Sequence, residues 1–156
     1  MENKEIIEKF YSAFAAGKAE EMVSYYHDDI QFEDPAFGPL KGDNAKNMWR
    51  MLIKNSKGNI KITYSNIQAD DKTGKAHWDA VYVFSKTGRN VVNRVDATFE
   101  FKDGKIIKHT DHFDFWKWAG QALGFTGSLL GWTSFLRNKV RKNATDSLSK
   151  FTSQTS

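Results

Sequence analysis

Apolar positions at the start of the chain return every four residues. Ile6, Phe10 and Phe14 therefore share one helical face, with Asn3 placed as an N-cap and Gly17 as a left-handed stop. A short second helix with Met22, Val23 and Tyr26 as its apolar face follows. The alternation through Ile30-Gln31-Phe32-Glu33-Asp34-Pro35 predicts a strand that proline ends. Asp43 is expected to cap a third helix burying Met48, Trp49, Leu52 and Ile53, broken by Asn55 to Gly58. From residue 59 the period falls to two. Strand-like runs at 59–69, 75–86, 90–102 and 104–115 are joined by Asp70 to Gly74, Thr87-Gly88 and Asp103-Gly104, which read as hairpin turns. Helices followed by an antiparallel meander give an α+β fold, a curved antiparallel sheet wrapped around the N-terminal helices. Trp116 to Gly127 reads as a short helix and loop. From Ser128, the residues Leu129, Trp132, Leu136, Val140, Ala144, Leu148 and Phe151 predict one long amphipathic helix.

Composition narrows the class. The chain has 156 residues, 40% hydrophobic and 27% charged, with no cysteine; this suits one globular core and removes disulfide, thiolate and cysteine–zinc chemistry. The formal net charge of +4 is uneven. Residues 1–115 are nearly neutral, and the basic excess lies in 116–156, so no basic stripe crosses the body as nucleic-acid binding would require. No signal-peptide core opens the sequence, and no run approaches the roughly 18 apolar residues of a membrane span. A soluble, cytoplasmic protein is expected.

Strand parity sorts the candidate chemistry. On the last strand Ile107, His109, Asp111, Phe113 and Phe115 share a side. The second meander strand divides into His77, Asp79, Val81 and Val83 against Trp78, Ala80, Tyr82 and Phe84, both sides apolar enough to bury. The third places Asn93, Val95, Ala97, Phe99 and Phe101 inward. If His77, Asp79, His109 and Asp111 all face the concavity, two carboxylates and two imidazoles meet in a hydrophobic cup, an arrangement that pushes carboxylate pKa values apart. The alternative is that the two aspartates hold turn or sheet-edge groups, or pair with His and Arg at a wet rim. These four residues would also suit an N/O metal site.

The order helix, helix, Phe32-Glu33-Asp34-Pro35, helix and meander, closing on Asp103-Gly104-Lys105-Ile106-Ile107 and Asp111-His112-Phe113-Asp114, resembles the SnoaL-like branch of the nuclear transport factor 2-like superfamily over residues 3–115. The resemblance implies a cone-shaped, cystatin-like α+β domain over 1–115, with 116–156 as a C-terminal helical extension packed on the domain or on a dimer partner. Asp34 matches the base of the ketosteroid isomerases. Their oxyanion-hole tyrosine falls at Phe10, which has no hydroxyl, with Tyr11 off the apolar stripe. The stretch from Thr87-Gly88 to Asp114 is similar to limonene epoxide hydrolase, whose paired aspartates match Asp111 and Asp79, with His77 where that enzyme has arginine. SnoaL-type polyketide cyclases imply an acid/base role for Asp111. These relatives work without metal, so neither metal nor cofactor is expected.

The resulting expectation is an interior pocket for a small hydrophobic molecule. Phe10, Phe14, Trp49, Val95, Phe99, His109 and Phe113 would line it, and Asp111, Asp79, His77 and Asp34 would carry isomerase, cyclase or epoxide-hydrolase-type chemistry. The alternative is a non-catalytic ligand-binding or protein-interaction module of the same fold. Trp78, Tyr82 and Phe84, placed outward, would make the outer sheet face a homodimer interface. Arg137, Lys139, Arg141, Lys142 and Lys150 flank the tail stripe in the manner of a membrane-surface helix, although docking on the domain or its partner, as a lid over the pocket mouth, is the reading preferred for it.

Overall fold

A computed structural model describes residues 1–155. Helix α1 (Asn3–Ala15) buries Ile6, Phe10 and Phe14 as the spacing requires, together with Ile7 and Tyr11. Its N-cap is Glu2, without a side-chain cap; Asn3 instead donates from its amide to the carbonyl of Asp70. Gly17 takes the left-handed conformation at φ 71°. After α2 (Ala19–Ser24) the chain enters β1 (Tyr26–Asp34), so Tyr26 opens a strand instead of closing a helical face. A short β2 (Gly38–Lys41) returns beside β1, and α3 (Asp43–Ser56) follows with Gly42, not Asp43, at its N-cap. Met48, Trp49 and Met51 are its large buried side chains, while Leu52 and Ile53 are half-buried.

The meander forms as β3 (Lys61–Ala69), β4 (Thr73–Phe84), β5 (Arg89–Lys102) and β6 (Lys105–His112). Six strands make one curved, open sheet in the order β2-β1-β6-β5-β4-β3. Consecutive meander strands are antiparallel, whereas β1 lies parallel to β6 and pairs Phe32 with His109 and Glu33 with Thr110. Helices α1 and α3 cover the concave face, where Phe10, Phe14, Phe32, Trp49, Trp78 and Phe99 are each at most 7% exposed.

The tail is not one helix from Ser128. It breaks into α4 (Phe115–Leu123), α5 (Phe125–Leu130) and α6 (Ser134–Thr155). Asp114 caps α4 by accepting from the backbone N–H of Lys117. Because β6 ends at His112, the N-terminal half of β5 is left with a free edge, and Gln121 on α4 serves it. The Gln121 amide accepts from Val92 N–H at 2.8 Å and donates to Val92 O at 3.1 Å, as a neighbouring strand would. Val91, Phe115, Trp118, Ala119, Ala122 and Leu136 form a second buried cluster here. The turn between α4 and α5 is so tight that a Cβ at Gly127 would run into the carbonyl of Ala119. Gly127→Ala is therefore expected to cost about 1–3 kcal/mol in urea denaturation, the range for overpacking, with the loss concentrated in amide-exchange protection of α4 and α5.

Candidate functional site

The sheet register decides which polar groups meet. On β4, Ala76 and Trp78 pair with Ala97 and Val95, and Ala97 pairs in turn with Asp111 of β6. These residues share the inner face. His77 and Asp79 pair with Asp96 and Arg94 and so stand on the outer face. The expected convergence of His77, Asp79, His109 and Asp111 is thus corrected: His109 and Asp111 are inside, and His77 and Asp79 are on the opposite side of the sheet. The apolar content of β4 left both of its faces admissible, and cross-strand pairing to the clean apolar face of β5 makes the choice. By the same register Trp78 and Tyr82 face inward with Phe84, so the expected outer aromatic patch is not there; the exposed apolar side chains of that face are Val81, Val83 and Val92.

On the outer face His77 bridges two carboxylates, with Nδ1 2.9 Å from Asp96 and Nε2 2.9 Å from Asp79. The hydrogen bond to Asp96 is the main cause of a raised imidazole pKa; partial burial opposes it and Asp79 adds to it. The raised folded value means that His77 supports the fold most fully below its unfolded pKa of about 6.5 and loses that support as pH rises through the folded value. An NMR titration of the His77 ring should have its midpoint above 6.5, and Asp96→Asn should move it down.

Inside, His109 is fully buried and Asp111 is 3% exposed. Trp49 Nε1 donates to Tyr26 Oη at 2.8 Å, Tyr26 Oη lies 2.6 Å from His109 Nδ1, and His109 Nε2 lies 2.8 Å from Asp111 Oδ1. Trp78 Nε1 donates to the same Asp111 oxygen at 3.2 Å. The ring nitrogens and the hydroxyl of this chain are all satisfied if Tyr26 donates to Nδ1 and the imidazole carries its proton on Nε2, the assignment the network dictates. Burial is the main cause that raises the Tyr26 phenol well above its ordinary value, so it stays a donor.

The second inward carboxylate is Asp34. The parallel register pairs Phe32 with His109 and Glu33 with Thr110, and Asp34 follows one residue beyond it at the parity of Phe32, close enough to Asp111 for the two charges to interact. Asp34 Oδ1 accepts from the N–H groups of Ala36 and Phe37 at 2.9 and 2.6 Å, the turn chemistry of Asp-Pro. Burial nevertheless pushes its pKa up to about 7, and the negative charge of Asp111 adds to the rise, while the two N–H bonds and the Arg141 guanidinium act in the opposite direction. Arg141 comes from α6. Its Nε is buried without a hydrogen-bond partner and packs against Gly38, where a Cβ would sit 2.9 Å away. Tyr82, bonded through its hydroxyl to Trp118 Nε1 at 2.8 Å, also feels the Asp34 charge.

The residues expected to line a pocket fill the cup instead. Phe10 stacks on Tyr26 with centroids 5.2 Å apart, Phe14 meets Trp49 at 5.1 Å, and Phe99 meets His109 at 4.5 Å. Val95 is fully buried and Phe113 half-buried between the two clusters. Tyr11, expected off the apolar stripe, is fully buried, and its hydroxyl has no partner; the β3 and β4 aromatics Tyr64 and Trp78, packed on its ring, explain the placement. Surface depressions include a groove of about 620 Å³ beside the β3–β4 turn, which Phe99 helps to line, and one of about 470 Å³ between α1 and β3. Among the described residues no group of three or more His, Asp or Glu side chains is placed to hold a metal ion.

A curved sheet closed over by helices, with inward carboxylates at its centre, defines a nuclear transport factor 2-like fold. Comparison with known families is specific: residues 7–109 match the SnoaL-like domain, and the chain belongs to that family. Among solved structures, a polyketide cyclase candidate from Pseudomonas putida is 19% identical, with TM-score 0.63 over 78% of this chain and 98% of its own. A second such candidate, from Xanthomonas campestris, is 18% identical with TM-score 0.60, over 75% and 93%. An epoxide hydrolase of the LEH-like type from M. tuberculosis is 20% identical with TM-score 0.58, over 85% and 92%. Comparison with curated proteins gave no match.

Proposed function

We propose that this protein is an acid/base catalyst for a small, largely apolar molecule, with Asp34 as the proton-transferring group. The single observation carrying this reading is the buried Asp34 carboxyl, at the end of β1 and within reach of the Asp111 charge, held up to about 7. A carboxyl poised there gives and takes a proton near neutral pH, as general acid/base catalysis asks. Burial keeps the Asp34 proton on, and the negative charge of Asp111, fixed by His109 and Trp78, adds to it; Asp111 is a positioning residue. Arg141 places a fixed positive charge near Asp34 without forming an ion pair to it, so an oxyanion formed on the substrate would have a counter-charge. The relatives with polyketide cyclase and epoxide hydrolase descriptions fit this class of chemistry. Asp79 and His77 have no part in it.

The filled cup favours a second reading, a binding module of the same fold without turnover, in which α6 swings from α3 to admit a ligand. Deuterium exchange at the α-carbon of 2-tetralone in D2O, followed by NMR, separates the two. Catalysis predicts acceleration by the wild-type protein and a loss of roughly 100-fold or more in Asp34→Asn, with His77→Gln unchanged. Equal exchange in wild type and Asp34→Asn would leave only the binding module.

A further inference from the structure

The elbow that joins α4, α5 and α6 carries a surface that neither the domain nor the proposed reaction uses. Trp116, Phe125, Leu129, Trp132 and Phe135 are 52, 81, 56, 64 and 71% exposed. Leu129 and Trp132 belong to the tail stripe expected to dock, but the stripe divides between α5 and α6: Leu136 and Leu148 are buried, whereas Leu129 and Trp132 are not. Phe125 and Leu129 stand four residues apart on α5 and so share a face, and Trp132 follows in the turn to α6 with its Nε1 donating to Leu129 O at 3.0 Å. Trp116 is held against them by its Nε1, which donates to Ser128 O at 2.8 Å. A cluster of this size on a folded chain marks an interaction site.

The charge around the cluster selects the partner. No Asp or Glu occurs between residues 115 and 145, whereas Lys117, Arg137, Lys139 and Lys142 do. On α6, Phe135, Lys139 and Lys142 lie at four and three residues on one face, so the apolar surface continues directly into a basic one, in which Lys142 also pairs with Asp146 at 2.8 Å. Arg89 adds another cation from β5, its Nε donating to Gln121 O at 2.8 Å. A second copy meeting this surface about a two-fold axis would set like charges against like. An anionic bilayer takes both parts: indole and phenyl rings enter the headgroup boundary, and Lys and Arg meet the lipid phosphates and carboxylates. No helix among the described residues is long and apolar enough to cross a membrane, so the contact is with its surface. We propose that the α4–α5–α6 elbow is a peripheral docking surface for anionic membranes.

The test uses the full chain and co-sedimentation with vesicles of phosphatidylcholine alone, or mixed with phosphatidylserine at roughly 7:3. The expected result is pelleting with the mixed vesicles, little with phosphatidylcholine, release by high salt, and a blue shift of tryptophan fluorescence. Trp132→Ser with Phe135→Ser should weaken partition at least about tenfold. Lys139→Gln with Lys142→Gln should weaken it on the mixed vesicles alone. All of these side chains are solvent-exposed, and unchanged far-UV circular dichroism confirms that the variants fold. Absence of partition to either vesicle overturns the proposal, as does a patch variant that shifts the sedimentation mass from dimer to monomer while vesicle binding stays nil, which would make the elbow a contact between copies.

Discussion

Asp111→Ala is expected to lower the stability of the fold by about 3–5 kcal/mol, the range found when one partner of a buried polar pair is removed and the other is left uncompensated. Asp111 accepts from both His109 Nε2 and Trp78 Nε1. Without it, both N–H groups lose their acceptor, and the rings packed on His109, those of Phe10, Phe32 and Phe99, cannot supply a conventional one. Water has no ready route in, since these rings are each at most 2% exposed. Asp111→Asn keeps an oxygen in the accepting position and should cost only about 1 kcal/mol. Urea denaturation of the two variants gives the comparison. Equal losses would mean that the carboxylate charge, and not an accepting oxygen of the right shape, carries the cost.

Asp34 should make stability fall as pH rises. Its folded pKa of about 7 lies above its ordinary 3.8. Between these values the folded chain holds a proton that the unfolded chain has released, so protonation favours the fold. The contribution is complete below 3.8 and is lost as pH climbs through about 7. A displacement of this size corresponds to about 4 kcal/mol at most, reduced by the solvent that a half-buried side chain still reaches. Asn at position 34 can accept the same bonds from Ala36 and Phe37 N–H, so Asp34→Asn isolates the proton. Denaturant melts across the window should show wild type losing stability relative to the variant as pH rises. Parallel curves would remove the poised carboxyl and with it the acid/base reading. Arg141→Gln should steepen the wild-type trend, because the guanidinium holds the Asp34 value down.

Much of this fold was legible in the chain because local patterns were strong. The four-residue spacing of Ile6, Phe10 and Phe14, and the Asp103-Gly104 turn, each depend on neighbours in sequence. The inward placement of His109 and Asp111 was legible for the same reason, since Ile107 and Phe113 share their parity and Lys108 and Thr110 stand opposite. Asp79 was misplaced although a signal was present: counting across the turn that follows Phe84 pairs it with Arg94, a polar position on β5. The partnership of Asp34 with Asp111 left no such trace. It depends on β1 lying parallel to β6, a pairing between segments far apart in the chain that no turn residue announces. The tail break at Gly131 was hidden because Leu129 and Trp132 keep helical spacing with Leu136 while their environment changes from core to solvent.

The parallel pairing of β1 with β6 has a bearing on how the protein is made. As the chain leaves the ribosome, Tyr26 to Asp34 emerges well before Lys105 to His112, the segment it must lie against. Until then β1 can pair only with the short β2, and its other backbone edge stays open to any passing strand. Asp34 and Asp111 are consequently brought together late in maturation, so a nascent chain halted before β6 would contain the first carboxylate but no means of poising it.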